Sequence, residues 1–234
     1  MKMQKTTIAA LTILTAGILL SQDRFDFKVR NYFFAGLAGD AASLQKGMKI
    51  CEDILASDPK QPEALVWHGM GLVSQAGTAF QQSDHENGAA LWQRGMTEMD
   101  QAEQLAPNDL GVRIVRGAVL LMASQYVPEE NAHPLIEKGL SDYEKAYVVQ
   151  GPDLSRFGTH KSGELMLGMA DAYARLGQRD QAQVWFERIQ KDLPDTPYAK
   201  SAKKWIETKR LAPDEAACLG CHANGDRAHV EPSK

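Results

Sequence analysis

The sequence predicts an all-α protein: a right-handed α-solenoid of about four helical hairpins, finished by a C-terminal capping helix. Three observations carry this expectation. Alternating β-branched runs are missing from Asp23 onward, whereas the good helix formers Ala, Leu, Gln, Glu and Met are plentiful. Apolar residues recur at three- and four-residue spacing in segments that stop at prolines, which cannot continue a helix. The stops at Pro59, Pro107, Pro152 and Pro194 lie 48, 45 and 42 residues apart, room for two helices each. A near-constant spacing of that size marks a stacked repeat.

Composition agrees with a folded body. The chain has 234 residues, 44% hydrophobic and 24% charged, which excludes a disordered or fibrous protein. A formal charge of −4 without basic runs gives no electrostatic footprint for a nucleic-acid partner. Three cysteines are too few for a disulfide framework in a chain this long.

The first element, residues 1–22, reads as an export segment. Lys2 and Lys5 precede the uncharged, mostly apolar run Thr6 to Leu20. Fifteen residues rise only about 22 Å as a helix, short of the ~30 Å hydrocarbon core, so a secretory signal fits better than a spanning helix. Leu19 is bulky where a cleavage site wants a small residue. Retention of residues 6–20 as a membrane anchor, or their burial as a helix, therefore stays open beside removal.

Residues 23–211 form the repeat body, and its last copy is the clearest. In Gly163 to Thr196, Ala170 takes a small position in a first helix and Tyr173 follows it. Leu176-Gly177 makes a turn, Ala182 takes the small position of a second helix, Phe186 and Ile189 lie below it, and Pro194 ends it. Small residues are needed where paired helices approach almost backbone to backbone. This segment closely resembles the tetratricopeptide repeat over all 34 of its residues.

Three weaker copies precede it. Residues 28–61 carry Phe34-Ala35, Gly47, Cys51, Ile54 and Pro59 at the corresponding steps. Residues 64–107 carry Trp67, Met70-Gly71, Gly95, Met99, Ala102 and Pro107, with about ten extra residues expected around Gln81 to Asn87. From Leu110 to Pro152, Gly139, Tyr143 and Ala146 mark the second helix. In that copy's first helix either Gly117 or Ala118 fits the small position, and Ala118 is preferred because it keeps Arg113 and Arg116 off the buried face. A long connection, Val127 to Pro134, is expected next. Pro197 to Leu211 follows as the cap, with Ala199, Ala202, Trp205 and Ile206 on one side and lysines on the other, so that Trp205 packs on the fourth copy's second helix.

The tetratricopeptide resemblance implies a concave groove lined by first helices, here by Tyr32, His68, Leu72, Val115, Val119, Met122 and Leu167. That lining is apolar. Either the first helices close the groove and these side chains are core, or the groove takes an apolar ligand, a partner helix or a second copy of the chain. Cys51 stands at the step of Phe186 and reads as a small buried hydrophobe.

The tail, residues 212–234, holds the only chemistry. Cys218-Leu219-Gly220-Cys221-His222 has the C-x-x-C-H spacing of covalent c-type haem attachment. Two thiols add to the two vinyl groups of the porphyrin, and the adjacent His222 supplies the proximal iron ligand. Attachment takes place outside the cytoplasm, the setting the export segment provides. A redox dithiol, and a zinc site built of Cys218, Cys221, His222 and His229, are the weaker alternatives. The resemblance to cytochromes c stops at the motif, because some 22 residues cannot wrap a haem. The distal ligand is open: His229, His68 and His160 are the candidates, with His133, His85 or a methionine behind them.

No catalytic constellation is visible: G-x-S-x-G, H-E-x-x-H and phosphate-cradling glycine loops are missing. The expectation is an exported, periplasmic protein with one covalent haem c, an electron-transfer or docking module for a redox protein or envelope complex, as monomer or homo-oligomer. A structural interaction scaffold without haem, and a haem enzyme with an open iron position, are the alternatives.

Overall fold

The computed structural model describes residues 24–151, 153–154 and 158–211. Among them are nine helices and no strand. Four hairpins follow one another: α1 (Phe25–Leu37) with α2 (Ala41–Ser57), α3 (Pro62–Gln81) with α4 (His85–Leu105), α5 (Leu110–Ala123) with α6 (Glu129–Gln150), and α7 (Gly158–Arg175) with α8 (Arg179–Asp192). The ninth helix, α9 (Pro197–Thr208), covers the end. This is the expected all-α solenoid.

Helix starts follow from capping. Asp40, Asp109 and Thr196 accept from the backbone N–H three residues on, at 3.0, 2.9 and 3.2 Å. Each satisfies a donor the helix leaves without a partner. Pro62 and Pro197 occupy first turns, where no N–H is needed. Gly177, with φ of 73°, makes the α7–α8 turn that the Leu176-Gly177 pair predicts.

Within α3–α4 the backbones meet at Gly69 and Gly95, where a Cβ on either glycine would lie 2.7 Å from the other's carbonyl oxygen. The equivalent contact in α5–α6 is Gly117 against Gly139, where a Cβ on either would lie 3.2 Å from the other's carbonyl oxygen. Gly117, not Ala118, is therefore the close-approach residue of the third hairpin. In the second hairpin Gly69 has that role, while Gly71 faces Met48 and Phe33 in the neighbouring hairpin.

Two expected loops turn out to be helix. The extra residues of the second repeat lengthen α3 to 20 and α4 to 21 residues, leaving only Gln82–Asp84 as a turn. No Gly or Pro interrupts Gln81 to Asn87, and Asp84 caps α4 through Asn87 N–H at 3.3 Å. Likewise α6 starts at Glu129 and runs through Pro134, so the connection from α5 is short. Glu129 and Glu130 suit the positive end of that helix.

The core comprises two apolar clusters. One centres on Phe33, Trp67 and Met99 and runs from α1 into α5 through Val112, Val119 and Ala123; the other centres on Tyr143, Phe186 and Trp205 and runs from Leu121 of α5 to α9. Trp205 of α9 stacks on Phe186 of α8 with centroids 4.4 Å apart, which seals the end of the second cluster.

A buried ionic bridge links α4, α5 and α6. Arg113 and Arg116 of α5 are buried, contrary to the expectation that they face away from the core. Each guanidinium gives one hydrogen bond of 2.5 Å to Asp142 of α6, one to each carboxylate oxygen. Arg113 gives a second to Glu103 and Arg116 a second to Asp100, both of α4 and both at 2.5 Å. The Pro107 carbonyl accepts from Arg113 Nε at 2.8 Å. Burial alone would raise the Asp100 carboxyl, but hydrogen bonding and charge from Arg116, helped by Lys138, hold it below its ordinary value. Arginines can be buried here because carboxylates on both flanking helices meet them.

Removing one partner of a buried, hydrogen-bonded ion pair leaves the others uncompensated and costs about 3–5 kcal/mol. Asp142→Asn should lower stability to urea by about 3 kcal/mol or more on that ground. Lys49→Gln, which breaks the exposed Lys49–Asp53 pair, should change nothing measurable. A loss below about 1 kcal/mol for Asp142→Asn, the value of a surface pair, would contradict the assignment.

Candidate functional site

The inner faces of the first helices are filled. His68, Leu72, Val119 and Leu167 are buried and Val115 and Met122 half-buried, leaving Tyr32 as the exposed member of the expected lining. The apolar side chains of the inner faces are therefore core rather than an open groove. At the start of α7, burial first, then the charges of Arg24 and Arg30, lower the pKa of Lys161.

His68 is only 2% exposed. Its Nδ1 lies 2.5 Å from Glu98 of α4, and Nε2 lies 3.8 Å from Glu52 of α2. A bound iron would require α2, α3 and α4 to separate. Cys51 is fully buried in the same region, as expected, and burial with the charges of Glu98 and Glu52 pushes its thiol up to about 12. A thiol so held is a packing residue rather than a nucleophile.

The other described histidines stand at helix starts. His85 faces the Phe80 ring, with centroids 6.2 Å apart. His133 lies 3.6 Å from Glu137, itself exposed. His160, in the first turn of α7, differs in being tied to buried groups. Its Nδ1 lies 2.9 Å from Tyr198 Oη of α9, and the same hydroxyl donates to Glu164 Oε1 at 2.8 Å. Tyr198 and Glu164 are both buried, and the tyrosine ring packs directly on Gly163, where any side chain would collide with it. The sequence points to His160 but to neither partner. The i,i+4 step from His160 to Glu164 on one helix face is the signal it offers.

Cys218, Cys221, His222 and His229 lie outside the described residues, as do residues 1–23. Among the described residues, no group of three or more His, Cys, Asp or Glu is arranged to hold a metal ion. No described helix is long and apolar enough to cross a membrane.

Residues 160–206, which span most of α7, all of α8 and most of α9, match the tetratricopeptide repeat family. The body is built of tetratricopeptide-like helical repeats. No curated protein and no solved structure matches the chain. The match falls on the last hairpin and the cap; the second hairpin has longer helices and the third carries buried arginines. Repeats of this kind mediate protein–protein contact, which makes the body a protein-interaction scaffold.

One buried acid on α7 is poorly compensated. Asp171 Oδ2 receives no hydrogen bond among the described residues, and Arg175 Nη1 lies 3.6 Å from it. Burial raises its carboxyl to about 6, with Arg175 opposing the rise. The folded state therefore holds a proton that the unfolded state releases near 3.8, so this group's contribution declines as pH rises from about 4 to 6 and is flat above. Asp171→Asn should remove that slope. In urea titrations the variant should gain on the parent by up to about 3 kcal/mol between pH 4 and pH 7.5. A stability difference independent of pH would contradict the raised value.

Proposed function

We propose that the chain is an exported interaction scaffold whose tail carries one covalently attached c-type haem, serving as an electron-transfer or docking module in the cell envelope. The carrying observation is Cys218-Leu219-Gly220-Cys221-His222 in a chain that opens with the export-type residues 1–22. The two features are independent of each other in sequence, and haem attachment requires both.

The donor set fits the group. Cys218 and Cys221 would form the thioether links, and His222 would bind the iron. Such a haem supplies one-electron exchange at iron. The tail starts from a fixed point, because Leu211 packs against the second apolar cluster beside the cap helix. About 22 residues are too few to enclose a porphyrin, so the repeat body or a redox partner must shield it. The filled inner side supports a partner recognised on outer helix faces rather than a peptide threaded through a groove.

The test is expression of the full chain with its export segment and haem-maturation factors, followed by a pyridine haemochrome spectrum. One covalent haem per chain is expected. Cys218→Ala/Cys221→Ala should lose it while the far-ultraviolet circular dichroism of the helices stays unchanged. Absence of covalent haem in the parent chain would leave the scaffold alone, and metal analysis would then show whether zinc occupies the tail.

A further inference from the structure

The cap helix α9 divides its residues by chemistry. Tyr198, Ala202 and Trp205 are buried, Tyr198 on Gly163 of α7 and Trp205 on Phe186 of α8. Lys200, Lys203, Lys204 and Glu207 are exposed, and their steps of three and four residues put them on one face, opposite the buried one. Lys209 and Arg210, also exposed, extend that face past the helix end. Five basic residues thus stand within eleven positions against one acid, in a chain whose formal charge is −4.

The basic end has a fixed outline. Lys209, at φ of 58°, ends the helix; its Nζ lies 4.6 Å from the centre of the Trp205 ring and donates to Gln183 Oε1 of α8 at 2.7 Å. Lys203 Nζ lies 3.9 Å from Glu207, the loose geometry of a solvated pair. The outer helices of earlier hairpins differ. Lys46 and Lys49 of α2 stand with Glu52 and Asp53, and the exposed start of α6 carries Glu129, Glu130 and Glu137.

Two features of the face select its partner. Its charge is carried mainly by lysine, which is depleted at protein–protein interfaces and holds its water strongly. It also presents no aromatic anchor, because both aromatic side chains of α9 are turned inward and buried. A fluid layer of anionic headgroups needs neither: it attracts a hydrated basic face through charge alone.

We propose that the lysine face of the cap helix is a docking surface for an anionic lipid membrane, met through Lys200, Lys203, Lys204, Lys209 and Arg210. The repeat body then stands with its C-terminal end on the headgroups. This goes beyond the haem reading and is independent of it, since no residue of the tail takes part.

The test is co-sedimentation of the full chain with vesicles of phosphatidylcholine, either alone or with about a third phosphatidylglycerol to supply negative charge. The parent should bind the anionic vesicles at low salt and leave them at about 1 M salt, where the screening length falls to about 3 Å. Each basic residue near such a surface strengthens binding about fivefold, so Lys200→Gln/Lys203→Gln/Arg210→Gln should weaken it about a hundredfold. Lys46→Gln/Lys49→Gln/Lys60→Gln removes the same charge from around α2 and should leave binding within about twofold. All six side chains are exposed, so both variants should keep the parent's helical circular dichroism. Equal binding to neutral and anionic vesicles, or equal losses in the two variants, would overturn the assignment. Absence of vesicle binding would overturn it as well, and salt-sensitive retention on immobilised polyglutamate would then give the face to an acidic protein.

Discussion

The structure depends on one buried carboxylate. Asp142 of α6 accepts from both Arg113 and Arg116, and those arginines reach back to Glu103 and Asp100 of α4. The charged groups join the second hairpin to the third beside the apolar contacts that Val112, Val119 and Ala123 of α5 make with the first cluster. Repeat proteins hold together through contacts between neighbours only, so a weak junction would divide the body into independently stable halves. Here a set of charge-assisted hydrogen bonds adds to the apolar contacts of α5. Desolvating these ions is costly, so the bridge is best understood as fixing register rather than as adding large net stability. Two arginines three residues apart meet two acids three residues apart on α4, and a one-residue slip would break every bond.

The same junction bears on what the body can do. With the inner faces packed, the repeats do not present the open groove that the tetratricopeptide resemblance implies. A scaffold of this form contacts partners through its outer helices and its two ends. The C-terminal end is where the candidate chemistry collects: the cap helix, the imidazole tied to it through Tyr198, and the root of the tail.

Much of this is legible in the sequence, and the failures have physical causes. The last hairpin follows the repeat rules at Ala170, Gly177, Ala182, Phe186 and Pro194, so its elements and its Trp205 cap can be read directly. The buried arginines cannot. A charged residue is ordinarily assigned to solvent, and only partners 10 to 29 residues away reverse that for Arg113 and Arg116. Preferring Ala118 over Gly117 follows from the same assumption. The start of α6 is misplaced by a reading that takes Val127 to Pro134 as a connection, and the extra length of the second repeat falls where expected but as helix. Helices absorb both, since the intervening residues favour helix. The histidines illustrate a further limit: sequence gives imidazoles, but burial separates His68 from His160, whose Nδ1 meets a tyrosine 38 residues away.

The central claim, that the Asp142 bridge makes one cooperative body of two apolar clusters, is tested most directly by native-state hydrogen exchange in urea, resolved by helix. The most protected amides of α3 and α7 represent the two clusters. In the parent chain they should merge into a single opening with one free energy and one urea dependence. In Asp142→Asn they should separate, with α1–α4 and α5–α9 opening at different urea concentrations. Separate openings in the parent, or a variant in which α3 and α7 still open together, would contradict it.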